Sequence, residues 1–132
     1  MPTTRRYLLD TNILIALLAG DRTVVRAIRA ADAVFLPSVA LGELYYGARK
    51  SERAAHNLER VSELAASADV LPCDATTAEG YGALKADLRA RGTPIPENDL
   101  WVAAMAHQHE LTLATRDGHF ALVEGLNVDR WE

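Results

Sequence analysis

Apolar positions fall into short runs separated by polar punctuation, and their two spacings predict strands alternating with helices. Arg6-Tyr7-Leu8-Leu9 reads as a short buried strand. Asp10-Thr11-Asn12 ends it and begins a helical run from Ile13 to Ala19. Gly20-Asp21-Arg22-Thr23 breaks that helix and caps a second over Val24 to Ala31, after which Ala33 to Leu36 is a second strand with Pro37 at its exit. Ser38 then starts a helical segment from Val39 to Arg49, with Val39, Gly42, Glu43, Tyr46 and Gly47 on one face. Arg53 to Ala66 is an amphipathic helix whose apolar side carries Ala54, Leu58, Val61, Leu64 and Ala65.

Asp69-Val70-Leu71-Pro72 gives a third strand, and Thr76 to Arg91 a long helix closed by Gly92. Thr76-Thr77-Ala78-Glu79 has the capping-box pattern, which makes Glu79 a helix cap rather than a catalyst. The loop Thr93 to Glu97 leads into Asn98-Asp99 and the run Leu100 to Ala106, which is apolar all round and so predicts a central, buried helix. Leu111 to Thr115 is a fourth strand, closed by Arg116-Asp117-Gly118, and Asn127 to Trp131 adds a fifth at the edge. This alternation predicts an α/β fold with a mainly parallel sheet of four or five strands flanked by helices on both faces. In such sheets the functional crevice lies beyond the C-terminal ends of the strands.

A chain of 132 residues fits one domain, here spanning 1–132. Its 49% hydrophobic and 24% charged residues are those of an ordinary folded chain, with disorder expected only in the first few residues. Asp10 interrupts the first apolar run too early for an export signal, and Ile13 to Ala19 is too short to span a membrane, so a cytoplasmic protein is expected. The lone Cys73 rules out an internal disulfide and a Cys-pair zinc site, and is expected to fill core. A net charge of −4 argues against strong nonspecific DNA binding but not against nucleic acid as such, because all but two of the 14 basic residues are arginine, well suited to phosphate.

Four acidic residues stand where such a sheet could bring them together. Asp10 and Asp117 each follow a strand, Asp99 opens the buried helix, and Glu43 lies on the helix that follows the second strand. Singly, each has a plain explanation. Asp10 and Asp99 suit helix N-caps, Asp117-Gly118 is a turn dipeptide, and only Glu43, among Leu41, Leu44, Tyr45 and Tyr46, calls for a partner to remain charged. Jointly they are unfavourable: two like charges about 4 Å apart repel by roughly 4 kcal/mol at an effective dielectric of 20. A divalent cation removes that conflict, and an all-oxygen donor set selects Mg2+ or Mn2+ over Zn2+. His107 and His109 point to different helix faces and are expected at the surface, and His56 and His119 have no stronger claim as ligands.

The segments Leu8-Leu9-Asp10-Thr11-Asn12, Ser38 to Gly47, Pro96 to Ala104 and Ala114 to Phe120 resemble, in order, the motifs of the PIN domain. More narrowly they resemble VapC-type toxins of bacterial toxin–antitoxin pairs, over residues 7 to 131. The resemblance implies that Asp10, Glu43, Asp99 and Asp117 form an acidic centre supported by Asn12 and Thr115. It also implies an Mg2+- or Mn2+-dependent endoribonuclease using an activated water, with Asp10 and Asp99 on the primary ion, Glu43 sharing the metal or orienting the water, and Asp117 holding a second ion or binding the first through water. A cognate antitoxin in the acidic groove and a homodimer are implied as partners. Two other readings compete. A phosphoacceptor using Asp10 as nucleophile needs either a second Asp where Asn12 stands or a well-placed lysine, and the two lysines, Lys50 and Lys85, do not suit. A noncatalytic RNA-binding module should have lost carboxylates that this chain keeps.

Overall fold

The computed structural model describes residues 5–132, in which five parallel strands alternate with six α-helices. Strand β1 (Arg6–Leu9) passes through Asp10 into α1 (Thr11–Leu18), followed by α2 (Arg22–Ala30) and β2 (Ala33–Pro37). Then come α3 (Ser38–Arg49), α4 (Ala54–Ser67) and β3 (Asp69–Leu71). The chain continues with α5 (Ala75–Ala90), α6 (Glu97–Gln108), β4 (Thr112–Thr115), a 3-10 helix (Gly118–Leu122) and β5 (Val128–Arg130). The sheet order is β3-β2-β1-β4-β5, and every pairing is parallel. The expected fold class is the one observed, with the edge strand over Val128–Arg130 completing five.

Alternation along the strands splits the core into two layers. Leu9, Leu36 and Ala114 pack with Ile13, Leu14, Val24, Leu41 and Val61 from α1 to α4. Their sequence neighbours Leu8, Phe35 and Leu113 pack on the other side with Leu88, Val102, Met105 and Phe120. A sheet covered on both faces needs apolar residues at successive strand positions, which is why Leu8-Leu9 and Leu113-Ala114 show no polar alternation. Phe120 is fully buried in the second layer. Phe120→Ala is expected to lower the unfolding free energy by about 3–5 kcal/mol, measurable as a lower urea midpoint.

Helix ends account for most differences from the sequence expectations. Helix α6 begins at Glu97, not near Leu100, because Pro96 stands just before the first turn and Glu97 and Asp99 suit the positive end of the helix dipole. Glu79 is not the cap of α5. Asp74 accepts a hydrogen bond from the Thr77 amide at 3.0 Å, while the Thr77 hydroxyl accepts from the Asp74 amide at 3.1 Å, so the capping box lies two residues earlier. An aspartate is at least as good an N-cap as threonine, and its register wins. Cys73 is not core filler either: it is exposed in the loop after the short strand β3, with its Sγ 3.9 Å from Ser38 Oγ. His109, expected at the surface, is half-buried, and its Nε2 is buried with no hydrogen-bond partner among the described residues. The expectation of disorder falls mainly on residues 1–4, which lie outside the described residues. No helix among the described residues is long and apolar enough to cross a membrane.

Candidate metal centre

The order β3-β2-β1-β4-β5 places the reversal of strand order between β1 and β4, since the chain steps from β1 to β2 on one side and reaches β4 on the other. That is where a crevice opens at the C-terminal edge of a parallel sheet. Asp10 is the first residue beyond β1, with its amide donating to the Ala114 carbonyl at 3.0 Å, and Thr115 is the last residue of β4. Asp117 follows two residues later, and the first turn of α6 brings Asp99 to the same edge.

Hydrogen bonds link Asp10, Asn12, Thr115 and Asp117 directly, while Glu43 is held by neighbouring residues and Asp99 joins through His119. Thr115, fully buried, donates from Oγ1 to Asp10 Oδ2 at 2.7 Å, and the same oxygen accepts from the Asp117 amide at 3.0 Å and from Asn12 Nδ2 at 3.4 Å. Asn12 in turn accepts from the Arg116 amide at 3.2 Å. Glu43 is half-buried rather than buried, and both its oxygens are held: Oε1 by the Thr11 hydroxyl at 2.9 Å and Oε2 by Asn98 Nδ2 at 3.1 Å. Replacing Thr115 by valine keeps the shape but leaves a buried Asp10 oxygen and the Asp117 amide without this partner. Thr115→Val is expected to destabilise by about 1–3 kcal/mol in a denaturant titration and to weaken any activity of the site.

The cap and turn explanations survive only in part. Asp10 does cap α1, but through Oδ1 to the Thr11 amide at 2.9 Å, leaving Oδ2 committed to Thr115. Asp117 caps the 3-10 helix through the His119 amide at 2.9 Å. Asp99 makes no capping bond; Pro96 occupies the cap position of α6. A carboxylate with 6% exposure in the first helical turn, unused as a cap, needs another partner.

His119 is the residue that the sequence did not single out. Its Nδ1 lies 3.1 Å from Asp99 Oδ2 and 3.0 Å from Asp117 Oδ1, bridging the two. Among the described residues it is the only basic side chain that forms an ion pair with the four carboxylates, and only when protonated. Arg116, next to Asp117, turns away and donates to Asp21 and to the Trp131 carbonyl. Lys85 binds Glu97 and Tyr81, and Lys50 lies over the Tyr46 ring, so no lysine serves Asp10 as a phosphoacceptor would require. Thr11 and Asn98 were also unforeseen as supports, although both lie inside the motifs.

The electrostatics follow from this arrangement. Burial holds the Asp99 carboxyl up at about 6, against the His119 hydrogen bond, with the charges of Asp10 and Asp117 adding to the shift. Burial likewise raises Asp10, opposed by its bonds from Thr115 and the Thr11 amide. His119 is raised in turn, chiefly by its bond to Asp99 and by the charge of Asp117. Clustered, desolvated carboxylates that repel one another are the donor set that a hard divalent cation satisfies, so the residues fit such an ion. Asp99, Asp117 and His119 each offer a ligand atom, all within 4.8 Å of one another.

A five-stranded parallel sheet carries a carboxylate cluster at its switch point, and comparison with known proteins places this architecture in a nuclease family. The profile of the PIN domain matches residues 7–126. A protein of Shigella flexneri named "tRNA(fMet)-specific endonuclease VapC" is 32% identical over 129 residues, covering 96% of this chain and 98% of its own. The crystal structure of DNA-bound VapBC from Salmonella typhimurium superposes with a TM-score of 0.91 at 27% identity, covering 96% of this chain and 98% of that one. A member of the VapBC family of toxin-antitoxin systems from Mycobacterium tuberculosis superposes at 0.75 with 29% identity, over 96% and 97% of the two chains. The chain belongs to the PIN-domain family, within its VapC group.

Proposed function

We propose that the chain is a divalent-metal-dependent endoribonuclease that acts in the cytoplasm as the toxin of a type II toxin–antitoxin pair. The observation that carries this reading is the pair Asp10 and Asp99, which are 5% and 6% exposed, stand at the sheet's switch point near enough for the charge of Asp10 to raise Asp99, and have no arginine or lysine ion pair among the described residues. Together they would hold Mg2+ or Mn2+, with Asp117 beside them. The bound ion would polarise the scissile phosphate, lower the pKa of the attacking water and offset charge on the leaving oxygen.

The chain's own residues do the rest. Glu43, fixed at both oxygens by Thr11 and Asn98, can accept a proton from the attacking water without first reorganising. Thr115 holds Asp10 in a single orientation and ties it to the Asp117 backbone, while Asn12 braces Thr115. Water attacks phosphorus in line with the 3′-oxygen, the bond to that oxygen breaks, and the products carry a 5′-phosphate and a 3′-hydroxyl. A Shigella flexneri relative named as a tRNA(fMet)-specific endonuclease supports RNA as the substrate class. End analysis of the cleavage products tests the chemistry: 2′,3′-cyclic phosphate ends would mean attack by the RNA's own hydroxyl and would remove the water-based reading.

The partner belongs to the same reading. An apolar groove of about 340 Å3 between α1, α3 and α4 is lined by Ile15, Leu18, Leu44, Gly47 and Val61, with Glu43 on its wall. Ile15 and the nearby Tyr46 are 56% and 66% exposed, unusual for large apolar side chains. An antitoxin segment with an apolar face and a basic side chain would cover this groove and set its charge against the carboxylates; a solved VapBC relative described as a toxin-antitoxin system supports a partner of that class. The nuclease is proposed to act as a homodimer, and elution as a monomer across micromolar concentrations in gel filtration would remove that part.

A further inference from the structure

We infer that His119 is itself a ligand, through Nδ1, of the cation bound at Asp99 and Asp117, so that the centre has a mixed nitrogen and oxygen donor set that favours Mn2+ over Mg2+. The inference rests on the metal-dependent reading above and goes beyond it, because the four carboxylates of that reading supply oxygen alone.

Three observations carry it. The ring nitrogen stands 3.1 Å from Asp99 Oδ2 and 3.0 Å from Asp117 Oδ1. Neighbouring ligands around an octahedral ion at 2.0–2.1 Å are separated by about 2.9 Å and opposite ones by about 4.1 Å, so the ring nitrogen already stands at ligand spacing from both carboxylates, and no pair in the group is more than 4.8 Å apart. Second, Asp99, Asp117 and His119 are the group among the described residues whose ligand atoms already converge within 4.8 Å. Third, the ring's point of attachment is fixed, although the side chain is half exposed: the His119 amide is tied to Asp117 Oδ1, and the next residue, Phe120, is fully buried. The backbone that carries His119 is therefore anchored by the Asp117 turn and by the core. Imidazole is a better ligand for Mn2+ than for Mg2+, which keeps to oxygen and water.

Pulsed electron paramagnetic resonance of the full chain loaded with Mn2+ tests this without reference to activity. The wild type is expected to show the modulation of a directly coordinated 14N nucleus. His119→Ala is expected to lose it and to bind Mn2+ about tenfold more weakly by calorimetry, with Mg2+ affinity changing much less. Mn2+ binding that is lost in Asp99→Asn but shows no nitrogen coupling in the wild type would overturn the ligand assignment and leave the metal reading standing. Absence of Mn2+ binding in the wild type would overturn both. The spectrum of the wild type decides the question even if His119→Ala fails to fold.

Discussion

Asp99→Asn is expected to lower RNA cleavage by about 10^3-fold or more while raising the thermal stability of the EDTA-treated protein. The two effects have one origin. Asp99 has a folded-state pKa of about 6 against an ordinary 3.8, chiefly through burial, so its ionised form is disfavoured by the fold. A shift of about two units corresponds to about 3 kcal/mol, which screening by solvent at an open crevice reduces to about 1 kcal/mol. Because the folded pKa lies above the unfolded one, the folded state binds more protons in the window between them. The penalty is therefore absent below about pH 3.8, grows as pH rises toward 6 and is complete above it. Asparagine removes the charge and keeps an oxygen for His119. A gain of about 2–4 °C at pH 7.5, vanishing near pH 4, is the expected result by differential scanning calorimetry. A stability loss at pH 7.5 together with retained cleavage would contradict both the electrostatics and the assigned role.

Divalent-ion binding should follow the same group. Since the ion needs Asp99 ionised, its apparent affinity is expected to be about tenfold lower at pH 5 than at pH 7, where the fraction ionised falls from most to about a tenth. Asp10, also raised by burial, steepens the loss. In the wild type at neutral pH, an ion at a hundred times its Kd should stabilise the fold by about 2.7 kcal/mol, seen as a higher Tm that EDTA reverses. Asp99→Asn should show little of this shift. A wild-type Tm unaffected by Mg2+ and Mn2+ from pH 5 to pH 8 would remove the cation from the account.

The sheet was legible because strands buried on both faces leave consecutive apolar residues, such as Tyr7-Leu8-Leu9 and Leu113-Ala114, with turn residues nearby. The carboxylates were legible for a related reason: Asp10 and Asp117 come just after strands, and parallel strands deliver the residues at their C-terminal ends to one edge. Contacts between distant segments were harder to read. His119 meets Asp99 across 20 residues, and Asn98 reaches Glu43 across 55. Neither pairing has a local signature, since each depends on how α6 is set against α3 and the 3-10 helix. Sequence patterns also misled where two registers competed. Thr76-Thr77-Ala78-Glu79 and Asp74 to Thr77 both satisfy a capping pattern, and only the backbone decides between them. Free cysteine is among the most buried residue types, which set the core expectation for Cys73, yet β3 is a three-residue edge strand, and the chain beyond it reaches solvent within two positions.

Whether buried carboxylates at the switch point cut RNA by holding a divalent ion is decided by one cleavage assay on purified wild-type protein, run in Mg2+, then with excess EDTA, then with Mg2+ or Mn2+ restored, and with Asp10→Asn in parallel. The expected result is cleavage that EDTA abolishes and restored metal recovers, and none from Asp10→Asn under any condition. Cleavage that persists in EDTA, or that Asp10→Asn matches, would contradict that role of the carboxylates and the ion.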